Sequence, residues 1–431
     1  MKKNVFLTPI QKFVKTESFA GILLFFATII ALIWANSPYS DLYRKIWHLK
    51  LGFQMGQFVL IKPLILWIND GLMAIFFFLI GLELKRELIV GEINSLKKAA
   101  FPFLAALGGI LVPIVFYLLL NKQPETTNGW GIPMATDIAF ALAILSLLGS
   151  RVPLSLKVFL TAFAIIDDLA AVSVIAIFYS DHLNLKLLSI GILLIIFLGI
   201  WYHKQKFSLF PGLLIGLISW FLFLKAGIHP TIAGVLLAFT IPIKRRMNID
   251  EFSAHINRIT NNFTEKKHVE ELLSKEELKN IEELKYTLNQ VKSPLQSLEQ
   301  NLHHLVAYFI LPIFALANAG VEISTNVTYN FSLISSLIIS LFAGKFIGVL
   351  LFSWLGLKFR ITSLPKGLKF KHIIGISAIA GVGFTMSIFI ANLAFKNQLL
   401  LIDSSKVGII VGSLLAGISG YLILRFMSKT T

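Results

Sequence analysis

No cysteine occurs among the 431 residues. Disulfides, thiolate metal sites and a cysteine nucleophile are therefore excluded. Charge is also scarce. Only 14% of the residues are Asp, Glu, Lys or Arg, against about 25% in soluble domains. Acidic residues are the scarcest, 23 against 39 Lys and Arg. What takes the place of charge is apolar: 56% of the chain is hydrophobic, in long runs rather than the short alternating ones of a soluble fold.

A bilayer core of roughly 30 Å needs about 20 mostly apolar residues per helix. Phe19 to Ala35 meets that need, as does Leu72 to Leu82 with its apolar flank from Leu64. So do Ala99 to Leu120, Val158 to Tyr179, Leu187 to Tyr202, Leu209 to Leu224 and Leu333 to Leu357. All candidates together predict an all-α membrane protein of about twelve spans. The first run lacks a small-x-small cleavage site and reads as a retained helix rather than a signal peptide.

The formal charge of +16 raises the question of nucleic acid, but its distribution answers otherwise. Lys12 and Lys15 precede the first span. Lys85, Arg86, Lys97 and Lys98 follow the second, and Arg151 and Lys157 the fourth. Lys204 follows the sixth, Lys244 and Arg245 the eighth, and Lys358, Arg360, Lys366, Lys369 and Lys371 the tenth. Basic residues on alternate loops mark the cytoplasmic side, which puts both termini there and makes the bilayer, not nucleic acid, the partner. The loop Asn36 to Pro63, with Arg44, Lys45, Lys50 and Lys62, is an exception.

The expected organisation is a cytoplasmic segment 1–17, helices I–VIII over 18–243, a charged amphipathic insertion 244–302, helices IX–XII over 303–426 and a tail 427–431. In the insertion, Ser274 and Glu277 form a capping-box pattern. Leu278, Ile281, Leu284 and Leu288 then recur at helical spacing until Pro294. The helix either packs on the membrane domain, binds a partner or serves as a spacer.

Two apolar segments are interrupted. One break is Ile132-Pro133-Met134-Ala135-Thr136-Asp137, and the other is Gly381-Val382-Gly383-Phe384-Thr385. Paired interruptions point to a transport site at mid-membrane. Glycine used for close helix packing is the alternative.

Charges at bilayer depth cost about 2.5–3.5 kcal/mol each on insertion scales and are functional by default. Asp167 and Asp168 lie mid-span. Adjacent helical residues point about 100° apart, so one can face an ion cavity and the other a partner. A site with two nearby carboxylates can hold a proton or a hard cation. Lys345, also central, makes Asp167 or Asp168 its natural partner, as a working group or a structural brace. Asp137, after Thr136, either caps a helix or compensates exposed helix ends. Asp70 is open to structural and functional readings alike. Glu83, Arg86 and Glu87 share one helix face. Glu299 and His303 are four apart, and histidine titrates in the physiological range. Each group is either an interfacial ion-pair set or a proton-responsive mouth.

Several motifs resemble the NhaA sodium/proton antiporters, in colinear order from about Ser18 to Gly420. They are Gly81-Leu82-Glu83-Leu84-Lys85-Arg86-Glu87-Leu88, Ala135-Thr136-Asp137-Ile138-Ala139-Phe140-Ala141, Ile165-Ile166-Asp167-Asp168-Leu169, Ala317-Asn318-Ala319-Gly320-Val321, Gly344-Lys345 and Gly383-Phe384-Thr385-Met386-Ser387. The resemblance implies inverted-topology repeats, two crossing interrupted helices, and a homodimer formed through the first external loop. It implies electrogenic export of sodium or lithium for protons across the cell inner membrane, with pH regulation. No cofactor is implied beyond the transported ions. Asp168 then resembles the principal carboxylate for sodium and proton, and Asp167 the partner of Lys345. Asp137 resembles the charge at the crossing formed around Thr136 and around Gly381, Gly383 and Thr385. Glu83, Arg86, Glu87, Glu299 and His303 resemble a cytoplasmic pH-sensing cluster. Phe346, Gln300, Asn301, His304 and the long insertion depart from the family pattern.

Other classes fit less well. A sodium-coupled solute symporter needs a solute-binding set that is not evident. An intramembrane aspartyl protease needs its aspartates on two helices, one in a Gly-x-Gly-Asp setting, and no such tetrad occurs. A channel would be impeded by a lysine–carboxylate pair in its pore.

Overall fold

The computed structural model describes residues 9–55, 58–91, 93–180, 183–204, 207–245, 247–264, 275–322 and 329–427. Ser274, the predicted cap, and the ends of both termini lie outside them. Among the described residues nine helices are long and apolar enough to cross a bilayer, or up to eleven if each of two bent pairs counts as one span.

Helix α1 (Pro9–Ala35) leads into a short amphipathic α2 (Ser40–His48). An antiparallel hairpin follows, β1 (Lys50–Met55) and β2 (Phe58–Pro63), in which Leu51 faces Lys62 and Phe53 faces Leu60. The span α3 (Leu64–Ile89) carries a π-turn at Trp67–Leu72. Next come α4 (Leu96–Leu120) and a 3₁₀ helix, Pro124–Met134, bent by 49° against α5 (Ile138–Leu147). Three spans follow, α6 (Leu154–Phe178), α7 (Leu185–Lys204) and α8 (Leu209–Ala226), and then the shorter apolar α9 (Thr231–Thr240). Two helices, α10 (Ile249–Thr264) and α11 (Lys275–Val291), pack together where one was expected, joined by an Arg258–Glu283 ion pair at 2.6 Å. The next spans are α12 (Pro294–Asn318) and α13 (Phe331–Lys358). The second bent pair, α14 (Phe370–Ile379) and α15 (Phe384–Ala394), meets at 44°, and α16 (Leu399–Met427) ends the bundle.

Lipid-facing and protein-facing sides separate by residue size. Helix α1 buries Ala20, Leu24, Ala27, Ala31 and Ala35 while Phe19, Phe26, Ile30 and Ile33 stay exposed. Between apolar solvents burial gives little drive, so close backbone approach and packing hold such helices together. The tightest approach joins α4 to α13. A Cβ on Gly108 or on Gly348 would collide with the other glycine's carbonyl oxygen. Helices α7 and α8 are the most exposed, with Leu193, Phe197, Leu213 and Leu217 turned outward.

Candidate functional site

Both helix breaks occur where the sequence interrupts its apolar runs. The chain is extended at Ala135 and Asp137, and Val382 accepts a 2.7 Å hydrogen bond from the Asp137 amide. The two broken helices thereby touch at their breaks. Two helix N-termini (α5 and α15) and the C-terminal end of α14 converge there, and each leaves unpaired backbone groups and partial charge in the membrane interior.

Asp137 serves both N-termini. Its Oδ1 accepts from the Phe140 amide at 3.1 Å. Its Oδ2 accepts from the Thr385 amide at 3.1 Å and from the Thr385 hydroxyl. The capping and charge-compensation readings thus describe one arrangement. Ser413 of α16 adds a further cap that sequence reading missed. Its Oγ accepts from the Gly383 and Phe384 amides at 3.3 and 3.2 Å. At the α14 end, the Ala380 carbonyl accepts from the Thr136 hydroxyl at 2.9 Å. Gly381 and Gly383 sit both in the break and in close packing. A Cβ on Gly381 would collide with the Leu341 carbonyl, and one on Gly383 would lie 2.8 Å from the Ala135 carbonyl oxygen.

Lys345 reaches this crossing from α13, just after the π-turn Ser340–Gly344. Its ammonium donates to Asp167 Oδ2 at 2.7 Å and to Thr136 Oγ1 at 2.8 Å, and both charged side chains are 0% exposed. A buried charge must be paired and hydrogen-bonded to be tolerated, and this one is. Asp168, one residue on, points elsewhere. It lines a cavity of about 40 Å³ with Thr136, Asp137, Phe76, Glu83, Leu311 and Met386, among others. Its Oδ1 is buried and has no hydrogen-bond partner among the described residues. The 100° step between neighbours thus sends one aspartate to the lysine and the other to the cavity. A space of that size holds about one water or one small cation. A drug-sized ligand needs about 300–1,000 Å³.

Glu83 marks the far end of the cavity and belongs to a polar cluster. Arg86 donates two hydrogen bonds to Glu299, at 2.9 and 3.0 Å, and a third to Glu87. His303 Nδ1 stands 3.9 Å from Glu83 Oε1. All five residues named from the sequence for a proton-responsive mouth meet here.

Asp70 lies at the opposite end of α3. It pairs with Lys62 of β2 at 2.7 Å and stands 3.5 Å from His229 Nε2, while its carbonyl accepts from the Trp220 indole. His229, in the turn before α9, was not found from the sequence. Burial holds its imidazole down to about 4, against the upward pull of Asp70 and with a further downward push from Lys396 and Lys62. A single histidine in a glycine–proline turn, Gly227-Ile228-His229-Pro230, carries no spacing signal.

The chain matches the family described as Na+/H+ antiporter 1 over residues 11–424. It is 46% identical over 433 residues to the Na(+)/H(+) antiporter NhaA 1 of Saccharophagus degradans, covering 98% of this chain and 92% of that one. It is 43% identical to the Na(+)/H(+) antiporter NhaA of Bacteroides thetaiotaomicron, covering 98% of both, and 42% identical to that of Helicobacter acinonychis, covering 99% and 97%. A distant likeness among solved structures, with a TM-score of 0.46 and 13% identity over 97% of each chain, is the sodium proton antiporter MjNhaP1 of Methanocaldococcus jannaschii at pH 8. With the family match spanning nearly its whole length, this chain is a multi-pass membrane protein belonging to the Na+/H+ antiporter 1 family.

Proposed function

We propose that the chain is a secondary transporter that exports sodium or lithium in exchange for a larger number of protons. The observation that carries the reading is Asp168, a buried carboxylate that lines a cavity of single-ion size and has one oxygen without a hydrogen-bond partner among the described residues. Such an oxygen can take a proton or become a ligand of a hard cation. The neighbouring pair sets the charge balance. In the proton-loaded form Asp168 carries a proton and Lys345 is an ammonium ion bound to Asp167. In the sodium-loaded form both carboxylates face the cation and Lys345 has given up its proton. Two protons then replace one sodium ion, and each cycle moves one net charge.

The same reading orients the chain. Basic residues on alternate loops support a cytoplasmic position for the Glu83 end of the cavity and for both termini, in a cell bounded by an inner membrane. Exchange proceeds by alternating access, the crossing of α14–α15 and α5 turning Asp168 from one face to the other. The Glu83, Arg86, Glu87, Glu299 and His303 cluster lies where proton concentration in the cytoplasm would set access, which supports pH regulation. The exposed β1–β2 hairpin offers unpaired strand edges for a homodimer.

Proteoliposomes with an imposed proton gradient test the reading. Added sodium or lithium should alkalinise or acidify the lumen according to gradient direction, and the response should depend on membrane potential. No sodium-dependent proton movement between pH 6 and 9 would refute exchange. A response indifferent to potential would refute the charge balance.

A further inference from the structure

The end of the bundle opposite Glu83 is closed by aromatic and asparagine side chains drawn from three helices. On α12, Leu311 lines the cavity, Phe314 follows three residues on and Asn318 seven on. On α15, Met386 lines the cavity, Phe389 follows three on and Asn392 six on. Helix α3 runs the other way. Phe76 lines the cavity, Phe77 adjoins it, and Asn69 lies seven residues back. At 1.5 Å per residue the asparagines stand about 10 Å beyond the cavity wall on each helix.

The aromatic layer and the asparagine layer are each joined within themselves. Phe77 and Phe314, both fully buried, flank the Phe389 ring at centroid distances of 5.5 and 6.2 Å. Beyond them, Asn69 and Asn318 exchange two hydrogen bonds, at 3.2 and 2.9 Å. Asn392 joins by a single bond to Asn318 Oδ1 at 2.9 Å.

The cavity lies between two groups of helices. On one side are α3 and α12, which also carry the Glu83, Arg86 and Glu299 cluster. On the other are α5, α6 and α15, which carry Asp137, Asp168 and Thr385. A boundary through the cavity continues between Phe389 and the rings of Phe77, Phe314 and His229, the last at 5.2 Å. It then crosses the single Asn318–Asn392 bond and leaves the paired Asn69–Asn318 contact intact. Neutral amides suit a contact that must part repeatedly, because each can exchange its partner for water at little net cost. An ion pair there would bind more tightly when buried.

We propose that these layers form the gate on the side opposite the Glu83 cluster. The Asn318–Asn392 bond and the Phe389 packing part when the site faces that side, while Asn69 and Asn318 move as one. The gate rests on the alternating-access reading above and specifies where the molecule divides.

Because the chain has no cysteine, introduced pairs report alone. The test is sodium-driven proton movement in proteoliposomes of Asn318→Cys/Asn392→Cys. The pair is joined by oxidation or by a short reducible bifunctional thiosulfonate. Joining should lower the rate at least tenfold, and reduction should restore it. The pair Asn69→Cys/Asn318→Cys, joined the same way, should keep its rate within about twofold. Parent-like exchange by the joined Asn318/Asn392 pair would overturn the gate, as would equal arrest by both pairs. Failure of either reagent to join Asn318 to Asn392 would overturn the juxtaposition itself. Should the reduced pair not exchange, Phe389→Cys alone decides. An impermeant thiol reagent added on that face should label it at least threefold faster during sodium turnover, and equal labelling would refute the gate. Absence of exchange in the parent chain would remove the exchange reading and the gate with it.

Discussion

Lys345 gives the most direct test of the site's electrostatics. The substitution Lys345→Met keeps most of the apolar stem and removes the charge, so packing changes little while Asp167 loses its partner. The ammonium makes two hydrogen bonds, at 2.7 and 2.8 Å, and lies 5.7 Å from the Phe163 ring centroid. Removing one member of a buried pair costs about 3–5 kcal/mol. The abandoned carboxyl has one escape, which is to hold a proton. Relative to an unfolded aspartate, which titrates near 3.9, this costs about 1.4 kcal/mol for every pH unit above that value, or about 4 kcal/mol at pH 7. The two estimates agree, and the second adds a sign. In the variant the folded state holds a proton that the unfolded state has released, so stability falls as pH rises. In the parent the Asp167–Lys345 pair holds one proton between its two groups, folded or unfolded, and so contributes no such slope. The gap between them should widen by about 4 kcal/mol from pH 5.5 to 8.5. For a chain of this size that is roughly 4–8 °C in apparent melting temperature. The assay is thermal unfolding of purified protein in detergent across that range, with Lys345→Met/Asp167→Asn as control, which should abolish the slope. A gap independent of pH would refute the pair.

Other substitutions separate transport from folding. Asp168→Asn should end sodium-dependent proton movement while shifting the melting temperature by no more than about 2 °C, because no partner is lost; transport at the parent rate would remove Asp168 from the site. Asp137→Ala removes acceptors from two helix N-termini at about 1 kcal/mol each. Asp137→Asn retains one carbonyl oxygen and should cost about half as much, so equal melting of the two variants would contradict the double cap. His229 is held neutral by burial down to about pH 4. Between there and about 6.5 the unfolded chain takes up a proton that the folded one refuses. Stability is therefore full above 6.5 and falls by about 1.4 kcal/mol per unit below it. His229→Gln should flatten that limb in a pH-dependent unfolding series, and an unchanged limb would exclude His229 as its source.

The charged part of the site was legible because charge in an apolar run has few structural uses. Asp167, Asp168 and Lys345 stand out against Ile165, Ile166, Leu341 and Phe342 with no knowledge of the fold. Adjacency alone says that the two aspartates point apart. It does not say which meets the lysine, since that depends on how α13 crosses α6. The breaks at Pro133 and at Gly381 and Gly383 were equally visible, because proline and glycine interrupt a spanning helix for few reasons. What stayed hidden is neutral or distant in sequence. Ser413 caps α15 across 29 residues, and Asn69 pairs with Asn318 across 249. Serine and asparagine in a span are too common to signal a role. The β1–β2 hairpin was read as a basic loop, its alternation Leu51, Phe53 and Val59, Ile61 being shorter than a span. In the insertion, Ile249, Phe252, Ile256 and Ile259 already carry helical spacing, yet the capping pattern at Ser274 drew attention to the second helix alone.

One carboxylate at a crossing and two on a continuous helix face different physical demands, which explains why the three aspartates are not interchangeable. Asp137 is fixed by three donors on two helices, so a cation could compete for it only by uncapping both helix ends. Asp167 is fixed by a full positive charge at 2.7 Å, and releasing it requires Lys345 to lose its proton or find another partner. Asp168 has neither constraint, so among the three it is the carboxylate that exchanges ligands at least cost. On the exchange proposed above, coupling follows from that ordering. A cation arriving at Asp168 adds positive charge beside Lys345, in a medium where such repulsion is poorly screened. It thereby favours loss of the lysine proton, which frees Asp167 as a second oxygen ligand. In that proposal the site binds sodium strongly only by giving up protons, and the exchange needs no moving part beyond the one that turns the crossing from one face to the other.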